Sequence, residues 1–210
     1  TLRAAAVAEG LLDRHGVVTR GAVAAEHVGG GFAGVYRVLS AYEDAGRCRR
    51  AYVVEGLGAA QFALPGAIDR VRAVAPDRRD PGAVPQALVL AATDPANPYG
   101  AALPWPVRGG EGASGHRPGR KAGALVVLVD GALALYVERG GRTLLTWSDD
   151  DAVLRAATGA LAGAVRRGVL GRLTVRKADG ESVLSPRSPL GAALEAAGFT
   201  ATPQGLRIRG

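Results

Sequence analysis

Hydrophobic positions in the first 64 residues recur first at helical spacing and then at strand spacing. Apolar side chains three and four places apart predict helices over residues 2–14, 20–26 and 32–44. Two short runs on either side of a glycine-rich turn, residues 49–54 and 61–64, predict a pair of strands. Three helices followed by a two-stranded ribbon is the element order of a winged helix-turn-helix.

A proline-rich stretch separates this pattern from a second one. Residues 65–85 combine repeated prolines with mixed charge and leave room for one short helix, which is typical of a linker. The sequence therefore predicts a winged-helix domain over residues 1–64, a linker over 65–85 and a second domain over 86–210.

The second domain contains the strongest β pattern in the chain. Apolar runs over residues 124–129, 132–137 and 143–147 predict a three-stranded meander, with Asp130 and Gly131 in a tight hairpin turn. The first two strands are apolar on both faces, so each face needs a cover, as in a barrel or a helix-backed sheet. We expect an α+β fold, in which a winged helix-turn-helix precedes a small antiparallel β-barrel or meander domain with covering helices.

Charge and composition restrict the class of protein. The chain has 26 basic and 19 acidic residues, and the excess of positive charge lies between residues 108 and 177, which suits an anionic partner. A single cysteine excludes an internal disulfide, and the longest apolar run is far shorter than a membrane helix needs. We expect a cytoplasmic protein and, because the chain has no methionine, a piece of a longer one.

Catalytic motifs are scarce. The sequence has no phosphate-binding loop, no nucleophile elbow and no zinc-protease motif. Asp94 is the catalytic candidate, because Asn97 and two aromatic residues follow it closely and could hold a base. Since Pro95 comes directly after it, a structural turn is the stronger interpretation of Asp94. We expect a non-catalytic chain without a metal site or cofactor of its own.

Basic and aromatic side chains supply the candidate nucleic-acid contacts. These are Arg20, Arg37, Arg49 and Arg50 in the first domain, Arg117, Arg120 and Lys121 in a basic loop of the second, and the aromatic residues Tyr99 and Trp105. Basic side chains can neutralise phosphates, and aromatic rings can stack on unpaired bases. A solvated charged surface and buried aromatic anchors are the alternative interpretations.

Several strings in the chain resemble one family. They are Gly16-Val-Val-Thr-Arg20, Gly31-Phe-Ala-Gly-Val-Tyr36, Val54-Glu-Gly-Leu-Gly-Ala-Ala-Gln-Phe62, Asp94-Pro-Ala-Asn-Pro-Tyr-Gly100, Leu103-Pro-Trp-Pro106 and Arg120-Lys-Ala-Gly-Ala124. Together they resemble the C-terminal region of Lhr-type (large helicase-related) helicases, which are superfamily 2 ATP-dependent DNA helicases. The resemblance implies the last winged helix of that region followed by a β-barrel-like domain. It also implies an ATPase motor, with ATP and magnesium, upstream of this chain.

The resemblance further implies self-assembly and a relationship to DNA-repair glycosylases. Those glycosylases use a Gln-x-Gln or Gln-x-Asp pair, whereas Gln61, Gln86 and Gln204 here have Ala63, Leu88 and Leu206 two places on. Our hypothesis is a nucleic-acid-binding accessory module of an ATP-dependent DNA repair helicase. Its partner would be single-stranded DNA, a tailed duplex or an RNA–DNA hybrid. The alternatives are a glycosylase-like catalytic module and a homo-oligomerisation domain.

Overall fold

The computed structural model describes residues 2–58, 60–74, 84–108, 116–186 and 188–210. The helices are α1 (Leu2–His15), α2 (Arg20–Ala25), α3 (Gly31–Asp44), α4 (Ala67–Val74), α5 (Asp151–Arg166) and α6 (Pro189–Ala196). The strands are β1 (Val17–Val18), β2 (Arg49–Arg50), β3 (Phe62–Ala63), β4 (Ala87–Ala91), β5 (Leu125–Val129), β6 (Ala132–Val137), β7 (Thr143–Thr146), β8 (Leu173–Val175), β9 (Lys177–Ala178), β10 (Glu181–Ser182), β11 (Thr200–Thr202) and β12 (Gly205–Ile208). None of the described helices is both long and apolar enough to cross a bilayer.

The chain divides into two compact units. The N-terminal unit takes in residues 1–79 and 98–104, and the C-terminal unit takes in residues 80–97 and 105–210. Residues 75–83, which are part of the predicted linker, lie outside the described residues.

The N-terminal unit is a winged helix. Its helices α1, α2 and α3 precede a small antiparallel sheet with the strand order β1-β3-β2. Leu11, Val23, Leu39 and Phe62 are fully buried in its core, which explains the apolar spacing in the sequence. The side-chain Oγ1 of Thr19 accepts a hydrogen bond from the Ala22 amide at 3.1 Å and so caps α2.

The strands of the wing are shorter than the sequence predicts. Instead of residues 49–54 and 61–64, only the two residues of β2 and the two of β3 form a ladder. The reason is the buried side chain of Gln61, which bonds the backbone of Val53 and Val54 in place of a partner strand. The chain between β2 and β3 is therefore an ordered loop rather than a regular hairpin.

Segment 98–104 belongs to the N-terminal unit because it lies against α2. At Gly21, the second residue of α2, a Cβ atom would stand only 2.4 Å from the carbonyl oxygen of Ala102. A larger residue would push the segment away from the helix. No pattern in the sequence predicts this contact, because the two segments are far apart in the chain.

The C-terminal unit is built on a six-stranded sheet with the order β10-β9-β7-β6-β5-β4. Its neighbouring strands are antiparallel except β7 and β9. The predicted hairpin turn joins β5 and β6, and its central residues Asp130 and Gly131 have φ angles of 48° and 84°. Positive φ at both central positions matches the twist of the flanking strands.

Each face of the sheet is covered, as the sequence required. Helix α5 lies on one face, where its buried residues Leu154 and Leu161 pack with Val127 and Val137. On the opposite face the buried Tyr136 donates a hydrogen bond to the Gly119 carbonyl at 3.1 Å. An irregular loop therefore covers the second face, where a barrel would have had more sheet.

The predicted β-barrel is wrong. In the described part of the chain β4 and β10 end the large sheet without pairing to each other, and β11-β12-β8 form a separate three-stranded sheet. Strands β9 and β10 have two residues each, too few to carry the sheet round to β4. Because α5 already buries one apolar face, closure is not needed to remove it from water. Both sheets are open.

The start of α5 is capped by a carboxylate. The residue that caps it is Asp150, whose Oδ1 accepts hydrogen bonds from the amides of Ala152 and Val153 at 2.8 and 3.0 Å. Ser148 instead accepts a bond from the Asp150 amide at 3.1 Å. A carboxylate at the positive end of the helix dipole stabilises this terminus.

Candidate nucleic-acid interface

Helix α3 has one basic residue, Arg37, on the side opposite its buried stripe. Val35 and Leu39 are buried, whereas Arg37 between them is exposed. This is the position of a side chain that a recognition helix offers to a groove. Arg20, the first residue of α2, is also exposed, and its guanidinium lies 5.2 Å from the centre of the Phe32 ring.

The two arginines of β2 have different environments. Arg49 is exposed, and none of the ion pairs among the described residues includes it. Arg50 pairs with Glu43 at 2.6 Å and donates a hydrogen bond to the Tyr36 hydroxyl at 2.7 Å. Arg50 therefore holds β2 against α3, and Glu43 balances its charge.

The electrostatic effect of this contact is visible at Glu43. The Arg50 backbone amide and then its guanidinium bond to the carboxylate and lower the pKa of Glu43 below its ordinary value. Glu43 is therefore ionised together with Arg50. Of the two adjacent arginines, Arg49 is the one that keeps its charge available to a ligand.

The wing carries an aromatic residue that sequence reasoning missed. Tyr52 is the second residue after β2, and 80% of its surface is exposed. An exposed ring on an ordered loop offers a flat surface on which a base can stack. The signal that could have found it was its position, since Tyr52 follows the two arginines Arg49 and Arg50 and precedes the glycines of the turn.

The basic loop of the C-terminal unit separates into exposed and bound side chains. Arg117 and Lys121 are exposed. Arg120 instead donates hydrogen bonds to the carbonyls of Thr93, Asp94 and Asn97 at 3.2, 3.0 and 2.7 Å. The geometry gives Arg120 the structural role of tying its own loop to residues 93–97.

The two aromatic candidates lie in different units. Tyr99 is half-buried in the N-terminal unit, where it forms an isolated bridge with Leu103. In the C-terminal unit, Trp105 is half-buried and packs edge-on against Tyr136, with ring centres 5.8 Å apart. This packing matches the interpretation of Trp105 as a buried anchor. Of the aromatic side chains in the described part of the chain, that of Tyr52 is the most exposed.

Comparison with known proteins places these features in a family. Residues 1–83 match the family described as "Large helicase-related protein, winged-helix domain". A protein of Mycolicibacterium smegmatis named "Lhr helicase/ probable uracil glycosylase" is 53% identical over 218 residues, which cover 100% of this chain. A protein of Escherichia coli named "Lhr helicase/uracil glycosylase" is 39% identical over 207 residues, which cover 98% of it. The chain spans only 14% and 13% of the lengths of these two relatives.

The chain belongs to the Lhr-type family and corresponds to the C-terminal region of these helicases. The family expected from the short strings is thus confirmed, and so is the winged helix that it implied. The barrel that the Lhr-type resemblance implied is absent from the described residues, as the open sheets show.

The catalytic candidate of this Lhr-type region lies in a turn. The Asp94 side-chain Oδ1 accepts a hydrogen bond from the Ala96 amide at 2.8 Å, which closes an Asx turn. Its neighbour Asn97 is buried and donates from Nδ2 to the Ala92 carbonyl at 2.9 Å. These contacts give both side chains a structural role. The described residues also contain no group of three or more His, Cys, Asp or Glu side chains able to hold a metal ion.

None of the three glutamines belongs to a Gln-x-Gln or Gln-x-Asp pair in the sequence. The structure shows that Gln61 has a structural role. It is fully buried, and both ends of its amide bond the wing backbone. Cys48 is equally inert: it is buried, and desolvation raises the pKa of its thiol.

Proposed function

We propose that this chain is a nucleic-acid-binding accessory module of an ATP-dependent DNA repair helicase. The observation that carries the proposal is the exposed surface of the winged helix, where Arg37 on α3 and Arg49 and Tyr52 at the wing all face solvent. Both relatives are named as helicases. The motor that would use ATP and magnesium then belongs to another part of the parent protein.

The composition of this surface favours DNA with unpaired bases. Arginines supply contacts to phosphate, which are independent of sequence. The ring of Tyr52 supplies a stacking surface. Only an unpaired base or the terminal base pair of a duplex has a free face that can stack on it. The preferred ligand is therefore single-stranded DNA or a tailed duplex, and an RNA–DNA hybrid with a tail offers the same chemistry.

Salt-dependent binding tests this proposal. We expect the affinity for a fluorescent tailed duplex to fall steeply between about 50 and about 200 mM salt, because bound arginines release counterions. The double variant Arg37→Ala/Arg49→Ala should lower the slope of log K against log salt by about 1.4 to 1.8. The control is Arg155→Ala, which removes a charge that is paired with Asp151 on α5. Wild-type binding that does not change with salt would contradict the proposal.

Base excision is a second candidate, favoured by the names of the two relatives, which both include uracil glycosylase. We propose that any such activity in this chain does not use Asp94, because its carboxylate is committed to the Asx turn. An Asp94→Asn variant keeps an acceptor for the turn. Cleavage of a uracil-containing oligonucleotide should be equal for both proteins, and a loss in the variant alone would contradict this.

Self-association is a third candidate, favoured by the exposed edge of the large sheet. Strand β4 is at that edge in the described part of the chain and carries no charged residue, although charge usually protects such edges. Leu88 within it is 54% exposed, and Val84 just before it is 83% exposed. We infer that β4 pairs antiparallel with β4 of a second copy about a two-fold axis.

Sedimentation tests this pairing. Wild-type protein at tens of micromolar should sediment as a dimer or a larger assembly, and Leu88→Lys should shift it to a monomer. The control Val169→Lys changes a residue that is 72% exposed and lies outside the strands. A wild-type monomer, or equal effects of the two variants, would contradict the role of β4.

A further inference from the structure

The small C-terminal sheet has one buried face and one open face. In the register of β8 and β12, Leu173 is opposite Ile208 and Val175 is opposite Leu206, and all four are buried in the core of the unit. Successive residues of a strand point to opposite sides. Thr174 and its partner Arg207 therefore lie on the other face, where both are half-buried.

This open face is rich in arginine. Arg207 lies on β12, Arg172 and Arg209 flank the paired ends of β8 and β12, and Arg176 follows the other end of β8. We call these four residues the C-terminal arginine face. Arg172, Arg176 and Arg209 are exposed, and Arg207 is half-buried.

No carboxylate neutralises this face within the described residues. None of the ion pairs among them includes any of the four arginines. Arg176 donates instead to the side-chain oxygen of Gln204 at 2.8 Å, and the buried Nε of Arg207 has no hydrogen-bond partner among them. Residues 168–178 and 199–210 contain no acidic residue at all.

The nearby acids are occupied or belong to other elements. Asp179 pairs with Arg108 and accepts hydrogen bonds from the amide and the hydroxyl of Thr146. Glu181 lies on β10 of the large sheet, and Glu195 lies on α6. The charges of residues 178–210 balance in the sequence, but no ion pair among the described residues joins Arg207 or Arg209 to an acid.

We propose that the C-terminal arginine face is a second contact surface for the phosphates of a nucleic acid. The inference rests on the proposed function and adds a site to it on the C-terminal unit. At about 3.3 Å per residue, Arg172 and Arg176 are about 13 Å apart along the strand, which matches about four base steps of rise along the axis of a nucleic-acid helix. A cleft of about 340 Å³, lined by Arg176, Lys177, Ser182 and Gln204 among others, continues the basic surface at one end.

The chemistry of this face favours a nucleic acid over a protein partner. The centre of a protein interface is usually apolar and poor in charge. Here the residues opposite one another across the strands are Thr200, Arg207 and Thr174, and none of them is a large apolar side chain. Guanidinium groups with few apolar neighbours suit contacts to phosphate, which position a nucleic acid without reading its sequence.

The double variant Arg172→Gln/Arg209→Gln tests the proposal in the full chain. Both residues are exposed and lie just outside the strands, so the fold should survive, which thermal unfolding will check. The slope of log K against log salt for a tailed duplex should fall by about 1.4 to 1.8 relative to wild type. The matched control is Arg72→Gln/Arg155→Gln, since each of these arginines pairs with an acid on its own helix.

The possible outcomes separate this proposal from the one on which it rests. If the Arg172/Arg209 variant binds like the control while Arg37→Ala/Arg49→Ala still weakens binding, the C-terminal arginine face is overturned and the winged-helix proposal stands. If wild-type protein binds no nucleic acid, both are overturned. Competition with polyglutamate tests the assignment to nucleic acid. The assignment is overturned if polyglutamate displaces DNA from the wild-type protein as well as an equal concentration of nucleotides does, but does not displace it from a variant that lacks the four arginines.

Discussion

The side chain of Gln61 bonds Val54 in both directions. Its Oε1 accepts from the Val54 amide at 2.8 Å, and its Nε2 donates to the Val54 carbonyl at 2.9 Å. A second bond from Nε2 reaches the Gly58 carbonyl at 2.7 Å. One buried amide thus replaces the ladder that a regular hairpin would have formed, and it orders the loop that follows Tyr52.

Replacing Gln61 by alanine should destabilise the N-terminal unit by about 2 kcal/mol, because buried backbone groups of the wing would lose their partners. Urea unfolding followed by circular dichroism measures the change. The control is Gln86→Ala, which alters an exposed residue. Equal unfolding midpoints for the two variants would show that the wing is held by other contacts.

Tyr52 should contribute to binding only where a base is free to stack. We expect Tyr52→Ala to weaken binding of a tailed duplex by about 1–3 kcal/mol and Tyr52→Phe to restore it, since stacking needs the ring and not the hydroxyl. Fluorescence anisotropy with tailed and blunt duplexes measures both effects. If the alanine variant weakens blunt and tailed duplexes equally, stacking is not the role of Tyr52.

Two arginines of the basic loop in the C-terminal unit should differ in how much their substitution lowers the stability of the protein. Arg120→Ala removes three hydrogen bonds to carbonyls of residues 93–97 and should cost about 1–3 kcal/mol of stability. Arg117→Ala changes an exposed side chain and should stay within about 0.5 kcal/mol of wild type. Chemical denaturation of both variants tests the difference, which disappears if Arg120 is only a surface charge.

The stability of the N-terminal unit should fall in acid partly through Glu26. Hydrogen bonds from Arg14 and then His15 lower the pKa of Glu26 below its ordinary value near 4.5. A carboxylate with a lowered pKa stabilises the folded state above its ordinary pKa and loses that contribution as the pH falls through the folded value. Thermal unfolding between about pH 6 and about pH 3 should therefore show a smaller loss of stability for Glu26→Gln than for wild type.

The same measurement has an internal control. Glu55 is exposed in the wing loop, and no ion pair among the described residues includes it. Glu55→Gln should keep the acid dependence of the wild type. If the two glutamine variants have the same profile, the contact with Arg14 contributes nothing measurable, as is common for exposed ion pairs.

The sequence by itself determined the local elements of this protein. Helix spacing located α1 and α3, the hydroxyl of Thr19 marked the start of α2, and Asp130-Gly131 specified the β5–β6 turn. These features depend on side chains within a few places of one another, so their physics is contained in short windows of the chain.

Only the tertiary structure decided which charged and polar groups remain available. It committed Arg50 to Glu43 and Arg120 to three carbonyls, left Tyr52 exposed and kept the sheets open. It also gathered Arg172 and Arg207 on one side of the C-terminal sheet, where no acid pairs with them in the described residues. Such outcomes depend on contacts between residues distant along the chain, which composition and periodicity do not encode.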